Sequence, residues 1–108
     1  MKVLFVCNQN QHRSKRAAEI FRDRFDTASA GLYNGKPVTS QNLEWADLVI
    51  VMEDEQRIEI GKRYPREYLG KRIISLGVPD VFDYGTQQLD EELQRKFLHL
   101  AEPLIESG

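Results

Sequence analysis

At 108 residues and 12.5 kDa, the chain is expected to form one domain, residues 1–108, with no stretch to spare for a linker. Hydrophobic residues at 41% and charged residues at 30% are the balance of a globular chain, which excludes the disordered and fibrous classes. Fifteen basic against seventeen acidic residues leave a net charge of −2, which argues against a chain devoted to nucleic acid, although a local basic patch stays open.

Val3-Leu4-Phe5-Val6 is a continuous apolar run and reads as a strand buried on both faces, as in parallel sheets. A polar stretch from Asn8 to His12 follows it, and a helical pattern starts near Ser14 with Ala17, Phe21 and Phe25 on one stripe. Thr27 to Ala30 is a weaker strand, and Gly31 to Pro37 carries the glycines, asparagine and proline of a loop. Gln41 to Trp45 suits a short helix, and Asp47 to Met52 is the strongest strand pattern in the chain. Glu53 to Tyr64 reads as a charged helix ended by Pro65, and its leading acids are explained by the helix dipole alone. Arg72 to Leu76 is the fourth strand. After a loop from Gly77 to Gly85, one final helix is expected from about Gln87 to Ile105. Its apolar stripe is Leu89, Leu93, Phe97, Leu100, Ala101 and Leu104. Strands alternating with helices point to a small parallel α/β sheet with helices on both faces. Ligands of such sheets bind at the carboxyl ends of the strands.

The only cysteine, Cys7, excludes an internal disulfide framework and a cysteine-rich zinc site, and it fits a reducing compartment. The apolar runs are too short to span a bilayer, and charge within a few residues of the first of them does not suit a secretory signal. The expected location is the cytoplasm, with no membrane partner. No metal-ligand motif is present, so neither metal nor other cofactor is expected.

The loop after the first strand reads Cys7-Asn8-Gln9-Asn10-Gln11-His12-Arg13-Ser14. A thiol held at a strand end, five residues able to turn N–H groups inward, and a helix start together make a nest for a dianion. Arg13 adds a planar fork that grips two phosphate oxygens, and the same positive field favours a thiolate at Cys7. Ser14 is placed to hydrogen-bond the sulfur, and Asn10 tolerates a positive φ. A lone cysteine closing an apolar strand is otherwise a small buried hydrophobe. The five residues that follow are all polar, which sets this loop apart from core and favours a phosphate-binding nucleophile loop, with Asn8, Gln9, Asn10, Gln11, His12, Arg13 and Ser14 around the anion.

Val6-Cys7 and Arg13-Ser14 at this spacing resemble the signature loop of the low molecular weight protein tyrosine phosphatases, and the compact chain resembles their short prokaryotic branch. The likeness continues through Ala18-Glu19-Ile20-Phe21, Ser29-Ala30-Gly31 and Trp45 to Met52, with a shortened segment between Pro37 and Asp47. Gln9 replaces the family's usual glycine, Lys15 its proline, and His12 the second cysteine of many members. Without a resolving cysteine the chain lacks a vicinal disulfide to protect Cys7, which also argues against a thiol-relay arsenate reductase.

The resemblance implies a four-stranded sheet in the order 2-1-3-4 and a metal-independent phosphomonoesterase working through a phosphocysteine on phosphotyrosine. Cys7 would be nucleophile, Arg13 the phosphate clamp, and an aspartate after the fourth strand the general acid. Asp80, preceded by Pro79 and lying four residues beyond Leu76, is the expected acid; Asp83, before Tyr84-Gly85, is the alternative. A shortened recognition loop also suits a phosphatase of nucleotides or RNA phosphate ends, and a non-catalytic phosphate-binding module would keep the same loop. The partner is in each case a phosphorylated molecule. Tyr33, Phe82 and Tyr84 are candidates to wall the pocket, His12 either donates to phosphate or tunes Arg13, and His99 is a surface residue. Lys15, Arg16, Arg22 and Arg24 form either a solvated helix face or a field that draws in an anionic substrate.

Overall fold

Why the four apolar runs become one sheet is visible in their alternation. In a computed structural model describing residues 1–107, β1 (Lys2–Cys7), β2 (Asp26–Gly31), β3 (Leu48–Val51) and β4 (Arg72–Ser75) are parallel in the order β2-β1-β3-β4. Gly108 lies outside the described residues. Val3, Phe5 and Cys7 join one core layer and Leu4 and Val6 the other, so the central strand is apolar on both faces. The expected strand order and the two-sided arrangement are both observed.

On one face lie α1 (Arg13–Phe21) and α5 (Gln87–Lys96), packed through Ala17, Phe21, Leu89 and Leu93. On the other lie α2 (Ser40–Trp45), α3 (Asp54–Arg63) and α4 (Pro65–Gly70), contributing Leu43, Ile60, Tyr64 and Tyr68. The first face is tied together by stacked rings, with Phe21 5.9 Å from Phe5 and 4.2 Å from Phe97 between centroids. No helix among the described residues is long and apolar enough to cross a membrane.

Two elements depart from the pattern read in the sequence. Pro65 does end α3, but it also occupies the first turn of α4, where its missing N–H costs nothing and its fixed φ suits a helix. The final helix is not continuous: α5 passes into a π-helical turn, Phe97–Ala101, before α6 (Glu102–Ser107). An i, i+4 row drifts by about 40° per step around a regular α-helix. The wider π turn winds less per residue. It thereby keeps Leu89, Leu93, Phe97, Ala101 and Ile105 on the core, while Leu100 and Leu104, expected in the stripe, are 41% and 43% exposed.

Candidate active site

The carboxyl end of β1 places Cys7 directly beside Gly31 of β2. The chain then curls back over that neighbour: Leu32 N–H donates to the carbonyls of Cys7 and Asn8 at 3.0 and 2.9 Å, and Tyr33 N–H donates to Asn8 at 2.9 Å. A side chain at position 31 has no room, since a Cβ would lie 2.9 Å from Asn8 O and 3.0 Å from the Gln9 carbonyl carbon. Asn10 takes the positive φ expected of it, at 55°, and this turn aims its N–H at Cys7 Sγ, 3.1 Å away. Ser14 Oγ lies 2.9 Å from the same sulfur and 2.8 Å from Asn10 Oδ1. A hydroxyl has one hydrogen. With a thiol, S–H donates to Ser14 and Ser14 donates to Asn10; with a thiolate, the Ser14 hydrogen turns onto sulfur.

Arg13 opens α1 and is 2% exposed. Both hydrogens of its Nη1 are used, one on Glu53 Oε1 at 2.5 Å and one on Val78 O at 2.8 Å. Nε faces Asp80 Oδ1 at 3.8 Å, and no acceptor among the described residues takes Nη2. The guanidinium is therefore fixed along one edge, leaving the other as a fork for an oxyanion. Glu53 is thus more than a dipole complement at the start of α3, which corrects the reading of its role from sequence. Gln56, 1% exposed, is a second residue that sequence reasoning missed. Its Oε1 accepts the N–H groups of Met52 and Glu53 at 2.8 and 3.0 Å, while Nε2 donates to Asn8 Oδ1 at 3.2 Å. A capping-box glutamine three residues after Glu53 was the available signal.

The pocket is lined by Cys7, Asn8, Gln9, Gln11, His12, Arg13 and Asp80. Asn10 and Ser14 brace the sulfur from behind and do not line it. Asp80, with a side chain 62% exposed, stands at the mouth. Asp83 does not border the pocket; its carbonyl accepts Thr86 N–H at 3.3 Å and Thr86 Oγ1–H at 2.8 Å, a turn that leads into the Thr86 cap of α5. The expected aromatic wall is absent from this pocket. Tyr33 stacks under Arg63 at 5.0 Å, Phe82 packs on the core, and Tyr84 lies along α1. His12 makes no hydrogen bond to Arg13: its Nδ1 accepts the N–H of Tyr84 at 2.9 Å.

The cations on α1 and the turn after it are paired only in part. Arg16 makes a two-pronged bond to Asp90 at 2.7 and 2.9 Å, and it holds the Asp90 carboxyl below its ordinary range. Arg24 pairs with Glu102, and Lys15 lies 5.2 Å above the Tyr84 ring. The Tyr84 hydroxyl meets both oxygens of Glu19 at 2.7 and 2.8 Å, which lowers the Glu19 carboxyl and raises the phenol from their usual ranges. Arg22 has no ion-pair partner among the described residues and Lys15 meets only a ring, so part of the positive charge on this face stays uncompensated. His99 is exposed, as expected.

No family model and no curated protein matches the chain. Solved structures do. YwlE arginine phosphatase from Geobacillus stearothermophilus superposes with a TM-score of 0.76 at 21% identity, covering 98% of this chain and 94% of that one. A low molecular weight protein tyrosine phosphatase from T. tengcongensis gives 0.73 at 23% identity, with 100% and 99% covered. The tyrosine phosphatase Wzb from Escherichia coli K30, in complex with phosphate, gives 0.68 at 21% identity, with 88% and 89% covered. With its sheet order, its loop at the end of β1 and this end-to-end superposition, the chain has the fold of the low molecular weight protein tyrosine phosphatases.

Proposed function

We propose that the protein is a phosphomonoesterase acting through a phosphocysteine, with phosphotyrosine in a protein as the substrate class. One observation carries the reading: Cys7, the uncommitted edge of Arg13 and the carboxylate of Asp80 border a single pocket. Cys7 Sγ attacks phosphorus in line, the S–P bond forms as the ester P–O bond breaks, and Asp80 gives its proton to the departing oxygen. Arg13 and loop N–H groups hold the equatorial oxygens. Water, deprotonated by Asp80, then attacks phosphorus and releases inorganic phosphate, while the Ser14 hydroxyl hydrogen-bonds the leaving sulfur. Asp80 is favoured over Asp83 as the acid because it borders the pocket whereas Asp83 closes a turn.

A second reading of the substrate is favoured by the walls, which carry carboxamides and an imidazole but no Phe, Tyr or Trp ring. They suit a hydrophilic phosphomonoester, such as a nucleotide or an RNA phosphate end. The cytoplasm is the compartment proposed for either substrate.

Turnover of phenyl phosphate, a phosphotyrosine peptide and a nucleoside monophosphate tests both readings, alongside Cys7→Ser. The wild-type enzyme is expected to hydrolyse the aryl ester, and Cys7→Ser to fall to background while still binding inorganic phosphate. A wild-type protein that binds phosphate and turns over none of the three is a binding module, and the proposal fails. Nucleotide turnover far above that of the peptide replaces the substrate class and keeps the chemistry.

A further inference from the structure

We infer that His12 is a positioning residue for the general acid, an inference that rests on the phosphatase reading above. Residue 12 is the N-cap of α1, a place where Ser, Thr, Asp or Asn ordinarily satisfies the free N–H groups of the first turn. Here the cap is a histidine that makes no such bond. Its Nδ1 accepts the backbone N–H of Tyr84 instead, which places the ring's own hydrogen on Nε2. The locally unfavourable choice is explained by what lies across the gap.

Asp80 sits between two tethers. On its N-terminal side, Val78 O accepts from Arg13 Nη1 at 2.8 Å and Val78 N–H donates to Met52 O at 2.8 Å. On its C-terminal side, Tyr84 is held by His12, with its ring under Lys15 and its hydroxyl on Glu19. Both tethers end on the phosphate loop, at the adjacent residues Arg13 and His12. The arrangement therefore registers the acid against the anion site directly, loop to loop. The exposed side chain of Asp80 has few contacts of its own to do so. Losing the His12 tether loosens the backbone of the C-terminal arm at Tyr84, whose side chain keeps its bonds to Glu19.

The test compares His12→Ala and His12→Asn on phenyl phosphate and on 4-nitrophenyl phosphate, with Asp80→Asn and the His12→Ala/Asp80→Asn double variant. Misplacing an acid by about an ångström predicts that His12→Ala loses about 10- to 100-fold in kcat on phenyl phosphate with KM little changed. The loss is smaller on the nitrophenyl ester, whose leaving group needs no proton. His12→Asn, which offers an acceptor oxygen in the same region, restores most of the turnover. Adding His12→Ala to Asp80→Asn costs nothing further. Hydrogen exchange of the Tyr84 amide by NMR quickens in His12→Ala and not in His12→Asn. Equal losses on the two esters, no rescue by asparagine, additive losses in the double variant, or unchanged Tyr84 exchange each overturn the inference. If His12→Ala does not fold, His12→Phe fills the ring's volume without an acceptor and carries the same expectations. A wild-type protein inactive on both esters sinks the phosphatase reading, and Tyr84 exchange then decides the tether alone.

Discussion

Two loops meet at the carboxyl edge of the sheet, and they are held by different means. The loop of residues 7–14 is over-determined: Gly31, Asn10, Ser14 and the buried Gln56 each constrain its backbone or its sulfur from a separate direction. The loop of residues 77–86 is mostly exposed and touches the rest of the molecule at a few tethers, chiefly Val78, Tyr84 and, through the N–H of Leu89, Thr86. The difference suits the tasks proposed for them. A nest for a dianion must not reorganise as charge shifts during reaction, whereas a loop presenting an acid beside it can yield to substrates of different bulk. It also explains why the second loop was harder to read. Its geometry comes from partners scattered along the chain.

The largest effect that separates the loops is catalytic. Asp80→Asn is expected to lower kcat on phenyl phosphate by ~10²–10⁴-fold, with a smaller loss on 4-nitrophenyl phosphate. Asp83→Asn should stay near wild type, because only its backbone carbonyl is engaged. The reverse pattern would move the acid to position 83.

Removing Gln56 attacks the rigid loop from beneath. Gln56→Ala strands the Glu53 N–H, leaves the Met52 N–H with Val6 O alone and frees Asn8, and the lost bonds with one buried unpaired group predict a loss of about 2–3 kcal/mol. Urea unfolding measures it, and a weaker affinity for inorganic phosphate should accompany it. Unchanged stability would mean that the loop does not depend on this glutamine.

Gly31→Ala tests the close approach directly. The added methyl meets backbone atoms that cannot swing aside, so the expected cost is about 1–3 kcal/mol. For a domain of this size each kcal/mol lowers Tm by roughly 4–8 °C. A melting curve that superposes on wild type would show that β2 and the phosphate loop can part.

The smallest expected effect concerns the support of the second loop. Asp90, paired with Arg16, has a lower pKa folded than unfolded, so this ion pair stabilises the fold fully above the unfolded value of about 3.9 and loses its effect as pH falls through the folded one. Asp90→Asn should therefore destabilise by about 0.5–1 kcal/mol at pH 7, and the gap from wild type should close under strongly acidic conditions. A gap that is constant with pH would assign the effect to packing.

The order of elements, the two-faced sheet and the loop from Cys7 to Ser14 were legible in the chain because each rests on local causes. Apolar alternation marks a strand, a polar run between a strand and a helix marks a ligand loop, and asparagine at position 10 marks a positive φ. What only the tertiary structure decided is which distant side chains those local pieces meet. The pairing of Glu53 with Arg13, the grip of Gln56 on Asn8, the turn of His12 toward Tyr84 and the displacement of three aromatic residues from the pocket all join segments tens of residues apart. The π-helical turn belongs with them, since it answers to Phe21 and the sheet beneath it rather than to its own sequence. Spacing along a chain encodes the period of a helix or strand; it does not encode which two faces are pressed together, and hydrogen bonds between side chains exist only after that packing is settled.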